Sequence, residues 1–205
     1  MRPEPAAAAP PVIKLMIAGG FGAGKTTMVG AVSEFSPLMA EERLTVISNG
    51  TDSLEGVAAK TTTTVAFDVG RITLRSPQMI LMLFGTPGQE RFWFLWDDLT
   101  VGTSGAVVLA DTRRLADSYA ALDHFDRHGV PFVVAVNEFA DAPFRYTPQE
   151  VGDALGLDGS VPVLLCDARD RRSVADVLKT LVGHALAHHR SGPPTAFRRE
   201  RGDRT

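Results

Sequence analysis

The residues best placed to do chemistry are Gly19-Gly20-Phe21-Gly22-Ala23-Gly24-Lys25-Thr26-Thr27, which spell G-x-x-x-x-G-K-T. At this spacing the backbone N–H groups of Gly20, Phe21, Gly22, Ala23 and Gly24 can converge on phosphate oxygens, and a helix begins with its positive dipole end facing them. Lys25 would bridge the β- and γ-phosphates, the Thr26 hydroxyl would ligate Mg²⁺, and Thr27 would reach the α-phosphate. A chance glycine turn would lack the right setting. Here the apolar run Val12 to Ala18 precedes the motif, and Met28, Val29, Val32 and Phe35 follow at helical spacing, as a strand, loop and helix require.

The elements that must hold this cradle are legible in the rest of the chain. At 205 residues and a net charge of −3, one domain with a normal core is expected, and nothing suggests a nucleic-acid partner. Cys166 is the single cysteine, so an intramolecular disulfide is excluded and a buried thiol in a cytoplasmic protein is expected. No apolar run reaches the roughly 18 residues a membrane span needs. Residues 1–11, rich in alanine and proline, read as a disordered arm; 12–189 as the domain; and 190–205, with five arginines, as a solvated basic tail. Ser36 to Lys60 lacks firm periodicity and reads as a long loop. Val65 to Leu74 and Met79 to Phe84 read as an antiparallel hairpin, while Ala106 to Asp111, Val130 to Val136 and Val161 to Cys166 are apolar runs suited to buried parallel strands. Leu115, Tyr119, Leu122 and Phe125 mark a helix face, Thr147-Pro148-Gln149-Glu150 is a capping box, and Val174 to Ala185 carries the stripe of a closing helix. The expected architecture is α/β, with a mostly parallel six-stranded sheet, one antiparallel hairpin strand and helices on both faces.

Gly85-Thr86-Pro87-Gly88-Gln89-Glu90-Arg91-Phe92 is the second informative stretch, and here the chain resembles the Ras-like small GTPases, a P-loop family. In that family the loop after the third strand reads D-x-x-G-Q. The resemblance implies that the Gly88 N–H meets the γ-phosphate and that Gln89 orients the attacking water. Gly85 departs from the pattern, since it stands where the family has the aspartate that holds Mg²⁺ through a water. Asn137 matches the first residue of the guanine-reading N-K-x-D loop, but Glu138 and Ala140 replace its lysine and aspartate, and Asp141 comes one residue late. Asp167-Ala168-Arg169 resembles the S-A-K loop, whose alanine N–H donates to the guanine carbonyl. Thr64, with Thr63 next, is the best match to the metal-binding threonine of the first switch. The spelling T-P-G-Q-E-R-F with a degenerate base loop is most similar to the actinobacterial conservon D-type and gliding-motility polarity GTPases. That likeness implies GTP/GDP and Mg²⁺ as ligands, slow partner-stimulated hydrolysis, and a roadblock-type regulatory partner within a sensor-kinase-like assembly.

Other residues take plainer readings. Phe21 stands where Ras-like proteins commonly have glycine, and its ring would restrict access to the γ-phosphate. Asp68, placed roughly opposite Thr86 by the hairpin, is a candidate substitute for the missing aspartate; a solvent-facing strand residue is the alternative. Phe92 to Trp96 offers more large apolar groups than one buried helix face absorbs, so Arg91 to Leu99 is the expected partner surface unless the 36–60 loop covers it. His124/His128 and His184/His188 have the i, i+4 spacing of metal ligands but no evident third ligand, and read as solvated helix faces. With no C-terminal prenylation cysteine, and arginine rather than glycine as the second residue, no direct lipid anchor is expected, and any membrane recruitment falls to partners. Two further readings stay open: a nucleotide-dependent binding module with little turnover, and an ATP-using P-loop enzyme.

Overall fold

A computed structural model of the chain describes residues 9–47, 60–89 and 92–191, and side chains within these except at 39–47, 60–66 and 191. In chain order the elements are β1 (Val12–Ala18), α1 (Lys25–Val32), β2 (Leu38–Ile47), β3 (Lys60–Arg75), β4 (Gln78–Gly85), α2 (Leu95–Thr100), β5 (Thr103–Ala110), a 3₁₀ segment (Thr112–Ser118), α3 (Tyr119–Arg127), β6 (Phe132–Asn137), α4 (Pro148–Ala154), β7 (Val163–Cys166) and α5 (Arg171–Ser191). The strands form one sheet in the order β2-β3-β4-β1-β5-β6-β7. β3 runs antiparallel to both neighbours, and the remaining described pairs are parallel.

The alternation of side chains along a strand divides the core into two layers. On β1, Leu15 and Ile17 face α1 and α5, packing with Met28, Val29, Leu178 and Leu181. Met16 and Ala18 face the opposite way, toward Trp96 of α2, Leu122 and Phe125 of α3, and Val151 of α4. With both faces covered, β5 and β6 are apolar without alternation, as buried parallel strands are. The start of α4 follows the expected capping box: Glu150 N donates to Thr147 Oγ1 at 3.2 Å and Thr147 N to Glu150 Oε2 at 2.8 Å.

The architecture is the expected one, with one strand more. Leu38–Ile47, inside the stretch expected to be loop, pairs residue by residue with β3 from Leu38↔Val69 to Ile47↔Lys60. Its centre is Glu41-Glu42-Arg43, and it lies at the sheet edge, where charge is tolerated and hydrophobic periodicity is not imposed. β3 is correspondingly longer than expected and takes in Thr61 to Thr64. The helix expected around Leu115 begins instead as the 3₁₀ segment, with a non-helical Arg114 (φ −147°, ψ 54°), before α3. α5 continues to Ser191, past the expected boundary at 189, whereas residues 1–8 of the expected arm and 192–205 of the tail lie outside the described residues. Among the described residues no helix is long and apolar enough to cross a membrane.

Candidate nucleotide site

The glycine-rich loop leaves β1 at its buried C-terminal end and enters α1 at Gly24, the N-cap, at φ 106°. That left-handed conformation disfavours any side chain, and a Cβ there would lie 2.7 Å from Asn137 Nδ2. Asn137, buried at the end of β6, spans two loops: its Nδ2 donates to Ala23 O at 2.9 Å and its Oδ1 accepts from Ala168 N at 3.1 Å. The phosphate loop and the Asp167-Ala168-Arg169 loop are thus joined through one amide.

Lys25 is buried, and its Nζ donates to Gly19 O at 3.0 Å and Gly20 O at 2.7 Å. Burial pushes its pKa down to about 8, with the charge of Asp68 opposing. A Cβ on Gly88 would lie 2.6 Å from Nζ and 3.0 Å from Gly20 O, so the Gly88 backbone packs closely against the phosphate loop and the ammonium.

Asp68 settles between the same elements. In the β3–β4 ladder it is opposite Gly85, one residue from the expected partner Thr86. Its Oδ2 accepts the Thr26 hydroxyl at 2.5 Å. A Cβ built on Gly85 would stand 3.1 Å from Asp68 Cβ and 3.2 Å from its Oδ2. The Asp68 carboxylate thus lies in the space beside Gly85, next to the Thr26 hydroxyl. Beside it, Thr86 is buried and its hydroxyl has no partner among the described residues, an unmet hydrogen-bonding group of the kind a ligand or water satisfies. Together with the phosphate loop, Phe67, Asp68 and Gly85 to Gln89 line a cleft of about 550 Å³, within the range of small-molecule sites. Thr26, Asp68 and Thr86 offer hard oxygen donors, the chemistry that suits Mg²⁺, so the residues present fit that ion.

Other expected site residues fall differently. Thr64, whose side chain lies outside the described part, is paired through its backbone with Arg43. It stands four positions before Asp68 on β3, roughly 13 Å at the strand rise, so this conformation does not bring it to Thr26. Asp141 is paired with Arg113, whose Nη1 donates to both its oxygens at 3.0 and 2.9 Å, while Nε and Nη2 hold the buried Asp111 at 2.9 and 2.8 Å. The same guanidinium lies 3.7 Å from the Phe139 ring centroid. The Ala168 N–H, expected to face a base carbonyl, donates to Asn137. Asp167 and Arg169 pair with each other at 2.9 Å, and the hydrogen bonds from Arg169 hold the Asp167 carboxyl down to about 2. Gln89 is exposed at the rim, and Phe21 is 62% exposed.

Two arginines were not read as site residues. Arg113 bridges Asp111 and Asp141, and Arg114 donates from Nη2 to the Phe21 carbonyl. Both follow the end of β5, where Asp111 caps the 3₁₀ segment through Arg113 N at 3.0 Å. No motif spacing marks them.

Of the expected partner surface, Arg91 lies outside the described residues. Trp96 is a correction: it is 3% exposed, belongs to the core, and donates from Nε1 to Pro87 O at 3.3 Å. Leu95 is buried too, leaving Trp93 at 37% and Phe94 at 52% exposure as the apolar groups that face outward.

Fold and loop together define a P-loop nucleotide-binding domain. The chain belongs to the family described as "Conserved hypothetical ATP binding protein", whose model matches residues 17–188. A comparison with curated proteins gives no match. Among solved structures, the chain is similar to the G domain of the T. maritima FeoB iron transporter, at TM-score 0.56 and 17% identity over 85% of this chain and 99% of that one. It is similar also to the FeoB G-domain from Methanococcus jannaschii, at TM-score 0.57 and 13% identity over 86% and 99%. The T. maritima FeoB cytosolic domain in a GDP form gives TM-score 0.59 and 16% identity, over 87% of this chain and 65% of that longer one. These likenesses establish the fold.

Proposed function

We propose that this chain is a guanine-nucleotide-dependent switch that binds GTP and GDP with Mg²⁺ and hydrolyses GTP slowly until a partner assists. The observation that carries the reading is the Asp68 carboxylate on the Thr26 hydroxyl, in the space vacated at Gly85: a P-loop threonine is oriented by an acid, as a metal–triphosphate site requires. Mg²⁺ held near Thr26, Asp68 and Thr86 would supply neutralisation of phosphate charge. The loop amides and Lys25 hold the phosphates, with Lys25 exchanging the Gly19 and Gly20 carbonyls for phosphate oxygens. Gly88 N–H contacts the γ-phosphate and Gln89 orients the water whose in-line attack releases phosphate and leaves GDP. Asn137 fixes the base-side loop to the cradle. The T-P-G-Q-E-R-F spelling supports placement beside the conservon D-type and gliding-motility polarity GTPases. A roadblock-type regulator, within a sensor-kinase-like assembly, would dock on Trp93 and Phe94 in the cytoplasm, with any membrane recruitment through partners.

A second reading, a binding module with little turnover, is favoured by Phe21, whose ring replaces the glycine of the Ras-like pattern beside the γ-phosphate and whose carbonyl is held by Arg114. Single-turnover phosphate release separates the two. The switch reading expects slow release that a partner accelerates and that Gln89→Ala no longer lets the partner accelerate. GTP persisting unhydrolysed with saturating partner assigns the module instead.

A further inference from the structure

α2 and α3 meet at a cluster outside the phosphate cleft. Asp97 Oδ1 of α2 lies 3.8 Å from Nδ1 of His124 in α3 and 3.3 Å from Nε2 of His128, the residue that caps the C-terminus of α3. All three donor atoms fall within 4.8 Å of one another. A tetrahedral zinc site with ligands at roughly 2.0–2.1 Å spaces its donors by about 3.3 Å, the length of the Asp97–His128 edge, while the Asp97–His124 edge is longer at 3.8 Å. The cluster is the third-ligand arrangement that the i, i+4 spacing of His124 and His128 lacked in the sequence.

The outer nitrogens decide what the inner ones can do. Thr100 Oγ1 donates its single proton to Trp96 O at 2.6 Å, so it accepts from His124 Nε2–H at 2.7 Å. This leaves a lone pair on His124 Nδ1. His128 Nδ1 faces His124 O at 2.8 Å; a carbonyl only accepts, so Nδ1 carries the proton and Nε2 of the neutral ring has the lone pair. Two imidazole lone pairs and a carboxylate thus converge, each imidazole oriented from behind by an oxygen acceptor, as metal-bound histidines are. The Asp97 side chain is 71% exposed, so water has access to complete the coordination.

We propose that Asp97, His124 and His128 form a binding site for a divalent transition-metal ion, with zinc best suited to this donor set. Imidazole favours zinc over Mg²⁺, so the site is distinct in chemistry from the Thr26 and Asp68 oxygens and does not depend on the proposed switching activity. A bound ion would cross-link α2 to α3. Because Trp96 of α2 donates to Pro87 O, the link acts next to the loop that carries Gly88 and Gln89. The pair His184/His188, with ring centroids 6.5 Å apart, belongs to no such three-residue group among the described residues and serves as the control.

The test is a zinc titration of the untagged full chain against a chromophoric chelator. It is run for the wild type, Asp97→Asn, His128→Ala and the double variant His184→Ala/His188→Ala, with folding checked by circular dichroism. Asp97 and His128 are the less buried ligands, so these changes leave the core intact. The wild type and the control variant should take up one zinc ion alike, and Asp97→Asn and His128→Ala should each bind it at least tenfold more weakly, the scale of a lost metal partner. The proposal is overturned if the wild type does not compete with the chelator, if both site variants bind as the wild type does, or if only the control variant loses zinc.

Discussion

The Thr26 hydroxyl donates to Asp68 Oδ2 at 2.5 Å, and Gly85 faces that carboxylate across the β3–β4 ladder. Position 85 carries no side chain, and the nearest acid stands on the adjacent strand. Asp68→Ala is therefore expected to weaken Mg²⁺ binding to the nucleotide complex by about tenfold or more, the scale of lost outer-sphere partners. Gly85→Asp alone should not help, because its Cβ meets Asp68 at 3.1 Å. The double change Asp68→Ala/Gly85→Asp should recover most of the affinity. Magnesium titration of fluorescent nucleotide release reads all three, and a wild-type response from Asp68→Ala would remove Asp68 from the site.

Lys25 gives a pH dependence of defined sign. With its pKa at about 8 against the usual 10.5, the empty folded state gives up this proton before the unfolded chain does. Between those two values the unfolded state holds more protons, so this group makes the empty protein more stable as pH rises. Phosphate reverses the preference by holding Lys25 charged, so binding takes up a proton above a pH of about 8. GDP affinity measured in EDTA should fall roughly tenfold from about pH 7 to about pH 9, with proton uptake visible in calorimetry across buffers of different ionisation enthalpy. A flat profile would mean that the buried ammonium does not meet phosphate.

The aromatic run separates into core and surface. Trp96→Ala empties a buried site and should cost about 3–5 kcal/mol of stability, seen in urea unfolding. Trp93→Ala and Phe94→Ala should stay within about 1 kcal/mol of the wild type while abolishing binding of a roadblock-type partner in a pull-down. Retained partner binding by the doubly substituted Trp93→Ala/Phe94→Ala protein would place the docking surface elsewhere.

Asn137→Ala orphans the buried Ala23 carbonyl and Ala168 N–H together. The expected loss is about 2–4 kcal/mol in the nucleotide-free protein, measured by chemical unfolding. A loss below about 1 kcal/mol would show that the two loops are not held through this amide.

What could be read from the sequence was what lies close along the chain. The phosphate loop is contiguous, β1 alternates between two buried layers, and Thr147 with Glu150 closes a local box, so each announced itself. β2 did not, because an edge strand with Glu41, Glu42 and Arg43 at its centre needs no hydrophobic pattern. The Asp68–Gly85 exchange was visible only as a candidate, since the hairpin register had to be known to one residue before the carboxylate could be put beside Thr26. Arg113 bridging Asp111 to Asp141, and Asp97 meeting His124 and His128, join elements that only the fold brings together. The burial of Trp96 is not legible because a run of five large apolar residues does not say which face of a short helix turns inward.

The central claim is guanine recognition by a base loop without its usual aspartate. Ala140 contributes no carboxylate, Asp141 is paired with Arg113 and the Ala168 N–H with Asn137, so any guanine preference under the proposed reading would have to come from the remaining backbone of these loops. Equilibrium titration of GTP and ATP in parallel, on the wild type and Asp141→Ala, tests it most directly. The account predicts tighter binding of GTP by roughly ten- to a hundredfold, below what two charge-assisted hydrogen bonds would add, and little change in Asp141→Ala. Equal or tighter binding of ATP would contradict it.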